Sequence, residues 1–267
     1  MASFGLGPSP AKRGPVISAL LKRFDVIYAI GNDLDHPQVK TMPLGLVEHK
    51  VRACRYAGVM AAIASARLDD KPRNVIGAFD VQSTSGDSHF GPLSSMPGEM
   101  AIGGMNTSRA IRGWADHEYY TQINGYLNYI NWGRRSHHAG QVPKALSRFQ
   151  ASKWTQSDAA KEVGVVTTPF PALSWWGELA KFRFMMSPMG DEIQSPKNVE
   201  ALLVLTIPIV QRGPYRVADD LVRMGFPVVV VDEWEEITAS SLRDWWQVLS
   251  PRLPSFRANC LTAAAFW

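Results

Sequence analysis

The fold of this chain is decided by residues 182–231, which read FRFMMSPMGDEIQSPKNVEALLVLTIPIVQRGPYRVADDLVRMGFPVVVV. Three short apolar segments stand out in this stretch, FRFMM at 182–186, IPIV at 207–210 and PVVVV at 227–231. Two segments with helical periodicity separate them, at 198–205 and 217–224. Short strands that alternate with helices, the last strand being apolar on both faces, are typical of a parallel sheet with both faces covered. The stretch therefore predicts an α/β fold.

The same alternation continues outward in both directions. A helix is predicted after the stretch, at 239–249, and the segments before it predict helices at 142–151 and 173–181 and strands at 127–132 and 165–168. Nearer the start, the pattern predicts strands at 25–30 and 74–81, a short helix at 16–23, an extended piece over 36–45 and an alanine-rich helix at 48–66. We expect two Rossmann-like lobes with a cleft between them.

The domain boundaries follow from a shift in composition. Residues 82–107 are dense in Ser, Gly, Pro and Met and have no apolar periodicity, which is typical of a functional loop or a connector. We place the boundary near Gly125. The prediction is a flexible lead-in at 1–15, a short or incomplete N-terminal lobe at 16–125, and a C-terminal lobe at 126–267.

Composition excludes several classes of protein. Of 267 residues, 46% are hydrophobic and 19% charged, which excludes a disordered tail or a coiled coil. No apolar run approaches the roughly 18 to 20 residues of a transmembrane helix, and no signal peptide is evident, so a cytoplasmic location is expected. The net charge of +4 does not by itself distinguish a nucleic acid from a small anion such as a phosphate. Because the basic residues are spread along the chain, we expect no nucleic-acid partner.

The two cysteines, Cys54 and Cys260, are far apart in the sequence and form no zinc or redox motif. We expect two buried thiols and no metal site.

The loop after the first strand of the quoted stretch carries the candidate chemistry. In parallel sheets, ligands bind outside the carboxyl ends of the strands. Gly190 allows close backbone approach there, and Lys197 supplies a cation to the start of a helix. Glu200 follows one turn later on the same face. A lysine for a diphosphate and a carboxylate for ribose hydroxyls suit a nucleotide-sugar site, while a solvated Lys–Glu pair is the alternative.

Several segments together resemble a known family. They are LNYINW at 127–132, KFRFMMSPMG at 181–190, VEALL at 199–203, TIPIV at 206–210, PVVVVDEW at 227–234 and EIT at 236–238, with patchier similarity over 36–45. In this order and spacing, they are similar to the exostosin-type glycosyltransferases. The resemblance implies a transferase of GT-B architecture whose C-terminal lobe holds a nucleotide sugar, with a glycan or small-molecule hydroxyl as acceptor. The nucleotide sugar is a co-substrate, and no other cofactor and no metal is implied.

The resemblance also implies roles for individual residues. Lys197 neutralises the donor diphosphate, the loop with Ser187, Pro188 and Gly190 wraps it, and Glu200 holds the ribose. Asn131, at the end of the strand at 127–132, adds a donor contact, and Arg135, just past it, adds positive charge. The resemblance identifies no acceptor base, and Asp191 in this loop is our own candidate. The lysine is expected to be mostly exposed, because it stands at a helix start.

The chain departs from the family's D-x-H-R motif, which here reads Gln194-Ser195-Pro196-Lys197. Leu205 also stands where the family has a glycine. Two alternatives therefore remain open, a non-catalytic relative that binds nucleotide or glycan, and a structural interaction module on a decayed transferase fold.

Two further features have plainer interpretations. Asp232 and Glu233, after the last strand, are expected to cap a helix or to line the donor site. The tryptophan pairs 175–176 and 245–246 are expected to pack in the core or an interface.

Overall fold

The structure of the chain is a computed structural model that describes residues 18–30, 32, 36–46, 56–79, 141–189, 194–212 and 215–262. The predicted lead-in at 1–15, the predicted strand at 127–132, the loop over 82–107 and Cys54 lie outside these residues. No helix in the described part is long and apolar enough to cross a membrane.

A five-stranded sheet forms the centre of the fold. Its strands are β3 (Arg73–Ile76), β4 (Val165–Val166), β5 (Phe182–Ser187), β6 (Ile207–Gln211) and β7 (Val229–Val231). They lie in the order β4-β3-β5-β6-β7, and every neighbouring pair is parallel. Counted within this sheet alone, the order is 2-1-3-4-5, which occurs in doubly wound α/β domains. The predicted α/β class and the parallel sheet are confirmed.

A second sheet has two short parallel strands, β1 (Ile27–Ala29) and β2 (Val39–Thr41). The sequence predicts a buried strand at 25–30, but Tyr28, in the middle of β1, is exposed. This small sheet contacts the helix that follows β6. In that contact, the Thr41 hydroxyl donates a hydrogen bond to Asp220 Oδ2.

Eight helices of five or more residues are found within the described ranges. They are α1 (Tyr56–Ser65), α2 (Gln141–Thr155), α3 (Asp158–Glu162), α4 (Trp175–Leu179), α5 (Lys197–Leu203), α6 (Val217–Arg223), α7 (Ala239–Leu249) and α8 (Leu253–Cys260), with 3-10 turns at Trp234–Glu236 and Ser250–Arg252. The helices predicted at 142–151, 173–181, 198–205, 217–224 and 239–249 are therefore confirmed. Residues 18–21 are helical as well, which confirms the short helix predicted at 16–23 over those residues. The sequence analysis did not predict α3 or α8. Cys260, at the end of α8, is exposed, so the expected buried thiol is wrong at this position.

One strand has neighbours in the sheet that the sequence did not predict. β3 comes from the segment assigned to the N-terminal lobe, yet it pairs with β4 on one side and β5 on the other. Pairing partners of a parallel strand are distant in the sequence, and local periodicity does not identify them. The large sheet therefore includes residues from both sides of the boundary predicted near Gly125.

The end of α5 shows why a glycine suits the turn before β6. The amide of Thr206 donates to Ala201 O at 2.8 Å and that of Leu205 to Leu202 O at 3.1 Å, which is the Schellman pattern. Leu205 has φ 60°, the left-handed region that favours glycine. Its side chain is buried in the core, and this burial offsets the conformational strain.

Candidate functional site

The order of the strands defines one crevice at the carboxyl edge of the large sheet. β4 lies on one side of β3 and β5 on the other, so the direction of the chain connections reverses between β3 and β5. Ligands of open α/β sheets bind at such a reversal, outside the carboxyl ends of the strands. Ala78, just after β3, and Pro188, just after β5, flank this crevice.

Lys197 brings a positive charge to the crevice. Its ammonium donates a hydrogen bond to Ala78 O at 2.7 Å. It also lies 5.2 Å from the centre of the Trp175 indole ring, a distance at which a cation and an aromatic face attract each other. The side chain is half-buried, so the expectation of a mostly exposed lysine is wrong. Helix position alone does not reveal the carbonyl that Lys197 binds, which is 119 residues away.

Glu200 contacts the same group of side chains through Trp175. It is 4% exposed, and its Oε2 accepts a hydrogen bond of 2.8 Å from Trp175 Nε1. Lys197, Trp175 and Glu200 are thus linked through the indole. Trp175 was expected only as a core or interface residue; Trp176 beside it is buried, as predicted.

The loop after β5 is attached to α2. Ser187 and Pro188 are buried, and the amide of Met189 donates to Ser147 Oγ at 3.3 Å. Arg148 Nε donates to Met189 O at 3.1 Å. These contacts bring Arg148, which sequence analysis missed, beside the loop. Gly190 and Asp191 follow outside the described residues, as do Asn131 and Arg135.

Gln194 joins the loop before α5 to the small sheet. It is 4% exposed, and its amide nitrogen donates to Ile30 O and, at 2.8 Å, to Met42 O. Its Oε1 accepts from the amide of Leu44 at 2.9 Å. Both ends of the amide are therefore used by backbone atoms of the N-terminal segment.

A cleft opens between the carboxyl ends of β5 and β6. The starts of α5 and α6 complete its walls, with Asn198 from α5 and Val217 from α6. Ser187 and Gln211, the last residues of their strands, lie on the two sides. Lys197 and Glu200 do not line this cleft. The Lys197 ammonium binds Ala78 O, and Glu200 binds the indole of Trp175.

Lys71 is a titratable group with a strongly shifted pKa, and it lies at the opposite edge of the sheet. Burial lowers the pKa of its ammonium to about 7, nearby Asp70 raises it and Arg257 lowers it further. The ammonium donates to Ala180 O, Phe182 O, Val204 O and Thr206 Oγ1. It lies before β3 and β6, at the amino ends of the strands, and therefore has a structural role.

The remaining predicted residues have structural contacts. Glu233 is the N-cap of the 3-10 turn, and its amide donates to Glu236 Oε1 at 2.8 Å, so the expected capping role is confirmed for Glu233. The carboxylate of Asp232 pairs instead with Arg212, at 2.8 Å. Trp245 and Trp246 both pack edge-on against Phe184 of β5. No group of three or more His, Cys, Asp or Glu side chains that could hold a metal occurs within the described ranges.

The fold and this site define a doubly wound α/β domain with a lysine at its topological switch point. No protein-family model matches the chain, and no curated protein matches it. The similarity to exostosin-type glycosyltransferases therefore stays a prediction.

Proposed function

We propose that the chain is a glycosyltransferase of GT-B type, which moves a sugar from a nucleotide donor to a hydroxyl of a glycan or small molecule. The observation that carries the proposal is the ammonium of Lys197, 2.7 Å from Ala78 O at the switch point of the parallel sheet. A cation at the usual ligand position of this sheet class favours a phosphate-bearing ligand.

The donor site has a division of roles. Lys197 neutralises the diphosphate as it becomes the leaving group, and the loop of Ser187, Pro188 and Gly190 wraps it. Glu200 Oε2 accepts a hydrogen bond from the indole of Trp175, and in this proposal Glu200 Oε1 accepts one from a ribose hydroxyl. This arrangement fixes the cation before the donor binds, so less side-chain entropy is lost on binding.

The acceptor side comes from the N-terminal segment. Contacts from Gln194 to Ile30, Met42 and Leu44, and from Thr41 to Asp220, bring β1 and β2 to the helices that follow β5 and β6. In this proposal, the small sheet borders a transfer cleft at the carboxyl edge of the large sheet. In this proposal Asp191 is the base that takes the acceptor proton, and Asn131 and Arg135 complete the donor contacts.

A second candidate is a relative that binds nucleotide or glycan without turnover. Gln194 occupies the acid position of the resembled motif, and its amide is committed to the backbone of the small sheet. Pro196, at the histidine position, has no titratable group. A third candidate, an interaction module on a decayed transferase fold, predicts no nucleotide binding at all.

One panel separates the three candidates. The purified chain is screened with UDP, GDP and their common sugars by thermal shift, and donor hydrolysis is then measured for every nucleotide sugar that raises the melting temperature. A transferase both binds and hydrolyses a donor, a binding relative raises the melting temperature without hydrolysis, and an inert module does neither. Lys161→Ala is the matched control for Lys197→Ala, because Lys161 is an exposed lysine paired with Asp158 on α3.

A further inference from the structure

The cleft between β5 and β6 contains polar atoms that lack a partner. Three buried oxygens have no hydrogen-bond partner within the described part of the chain. They are Ser187 Oγ, Asn198 Oδ1 and Gln211 Oε1, and all three are closed to solvent. Ser187 is 5% exposed and Gln211 8% exposed. Buried oxygens are nearly always satisfied in folded proteins, so three of them on residues that line one cleft point to a shared partner.

The described lining has no charged side chain and favours a neutral partner. The polar lining residues of the described chain are Ser187, Gln194, Ser195, Asn198, Gln211 and Tyr215. None of the described lining residues is Lys, Arg, His, Asp or Glu. A phosphate would meet no counter-charge from these side chains. Neutral hydroxyl groups, in contrast, donate to amide oxygens and exchange hydrogen bonds with a serine.

The shape of the cleft limits the size of the ligand. Its volume of about 40 Å³ is enough for two or three hydroxyl-sized groups, by the volume that one water needs. Val210, Val217 and Leu221 give the cleft an aliphatic wall, with Tyr215 beside it. A ring with hydroxyls along one edge and C–H groups on its face matches both surfaces.

We propose that this cleft binds one edge of a pyranose ring, and that the side chains of Ser187, Asn198 and Gln211 turn toward the cleft on binding. Ring hydroxyls then donate to Asn198 Oδ1 and Gln211 Oε1 and pair with Ser187 Oγ. The ring comes either from the donor sugar or from a free glycan. The first source rests on the proposed function, because the Lys197 crevice would hold the attached diphosphate. The second source does not depend on it.

Saturation-transfer NMR with the whole chain tests the proposal. The probes are methyl glycosides of glucose, galactose, mannose and N-acetylglucosamine, UDP-glucose, GDP-mannose, UDP and GDP. Ser187→Ala and Asn198→Ala are compared with Ser174→Ala and Asn259→Ala, which change the same residue types at exposed positions outside the cleft. We expect ring protons of at least one probe to be saturated, and each cleft variant to weaken that probe about three- to tenfold, the effect of one neutral hydrogen bond. Ser187→Ala should not lower the melting temperature, because it removes a hydroxyl that lacks a partner.

The outcomes distinguish the two sources. A donor sugar is indicated when a nucleotide sugar binds more tightly than its nucleotide and the difference disappears in Ser187→Ala. A free glycan is indicated when a methyl glycoside binds and UDP and GDP do not displace it. The proposal is overturned when no probe shows saturated ring protons, or when the cleft variants leave affinity unchanged, since the cleft then holds ordered water only. Binding of UDP or GDP without a contribution from the ring overturns this inference alone and leaves the proposed function standing.

Discussion

Replacing Lys71 by methionine changes how the stability of the protein depends on pH. Lys71 is 3% exposed, and burial lowers the pKa of its ammonium from 10.5 to about 7, more than Asp70 raises it, while Arg257 lowers it further. In the unfolded chain the group regains its ordinary pKa. Between these two values the unfolded chain holds a proton that the folded chain has released, so the free energy of unfolding rises with pH.

The magnitude follows from the two pKa values. Within that window, each pH unit adds about 1.4 kcal/mol to the free energy of unfolding. From about pH 7.5 to 9.5, Lys71 therefore adds about 2 to 3 kcal/mol. Below the folded pKa both states are protonated, and the contribution stays at its least favourable value. Lys71→Met has no such contribution at any pH.

Urea unfolding at several pH values across this window measures the effect. The free energy of unfolding of the unaltered protein minus that of Lys71→Met should rise by about 2 to 3 kcal/mol over the window. Lys153→Met, which replaces an exposed lysine of α2, should show no such trend. A difference that stays constant or falls with pH would refute the reasoning, because Lys71 would then keep its proton in the folded chain.

Three further substitutions have expected outcomes. Gln194→Ala removes three backbone contacts and should speed amide exchange in β1 and β2, while Gln156→Ala, at an exposed position, should leave exchange there unchanged. Trp175→Phe should lower the free energy of unfolding, measured in urea, by about 1.5 to 3 kcal/mol, because buried Glu200 loses its hydrogen-bond donor. A decrease below about 0.5 kcal/mol would show that the Trp175–Glu200 hydrogen bond does not stabilise the fold. Leu205→Gly should be more stable than Leu205→Ala by about 1 kcal/mol in thermal unfolding, since glycine adopts the left-handed conformation without strain, and the reverse order would show that φ is not the cause.

The second half of the chain was largely predictable because its signals are local. The strands at β5, β6 and β7 and the helices between them follow from apolar periodicity, and α7 begins and ends where the sequence predicts. β3 was predicted as a strand but not as a neighbour of β5. That pairing joins Val75 to Phe184, and only long-range packing decides it.

The site was predictable in its residue types and less so in its geometry. Lys197 and Glu200 were identified from a helix start and one-turn spacing, but the indole that connects them comes from α4. The role of Gln194 depends on Ile30, 164 residues away, which no motif indicates. The unpartnered oxygens of the β5–β6 cleft depend on what surrounds each side chain, so spacing alone gave no signal for Asn198 or Gln211.

Calorimetric titration of Lys197 variants tests the central claim most directly, with the nucleotide that binds best in the screen. The account predicts that Lys197→Ala weakens binding about ten- to a hundredfold, the loss of one charge-assisted contact. Lys197→Arg should bind as well or better, because its planar fork suits phosphate, and Lys161→Ala should bind normally. Lys197→Ala should also lose about 1 kcal/mol of stability with its bond to Ala78 O. Unchanged nucleotide affinity in Lys197→Ala, together with a lowered melting temperature, would contradict the account and make the lysine structural.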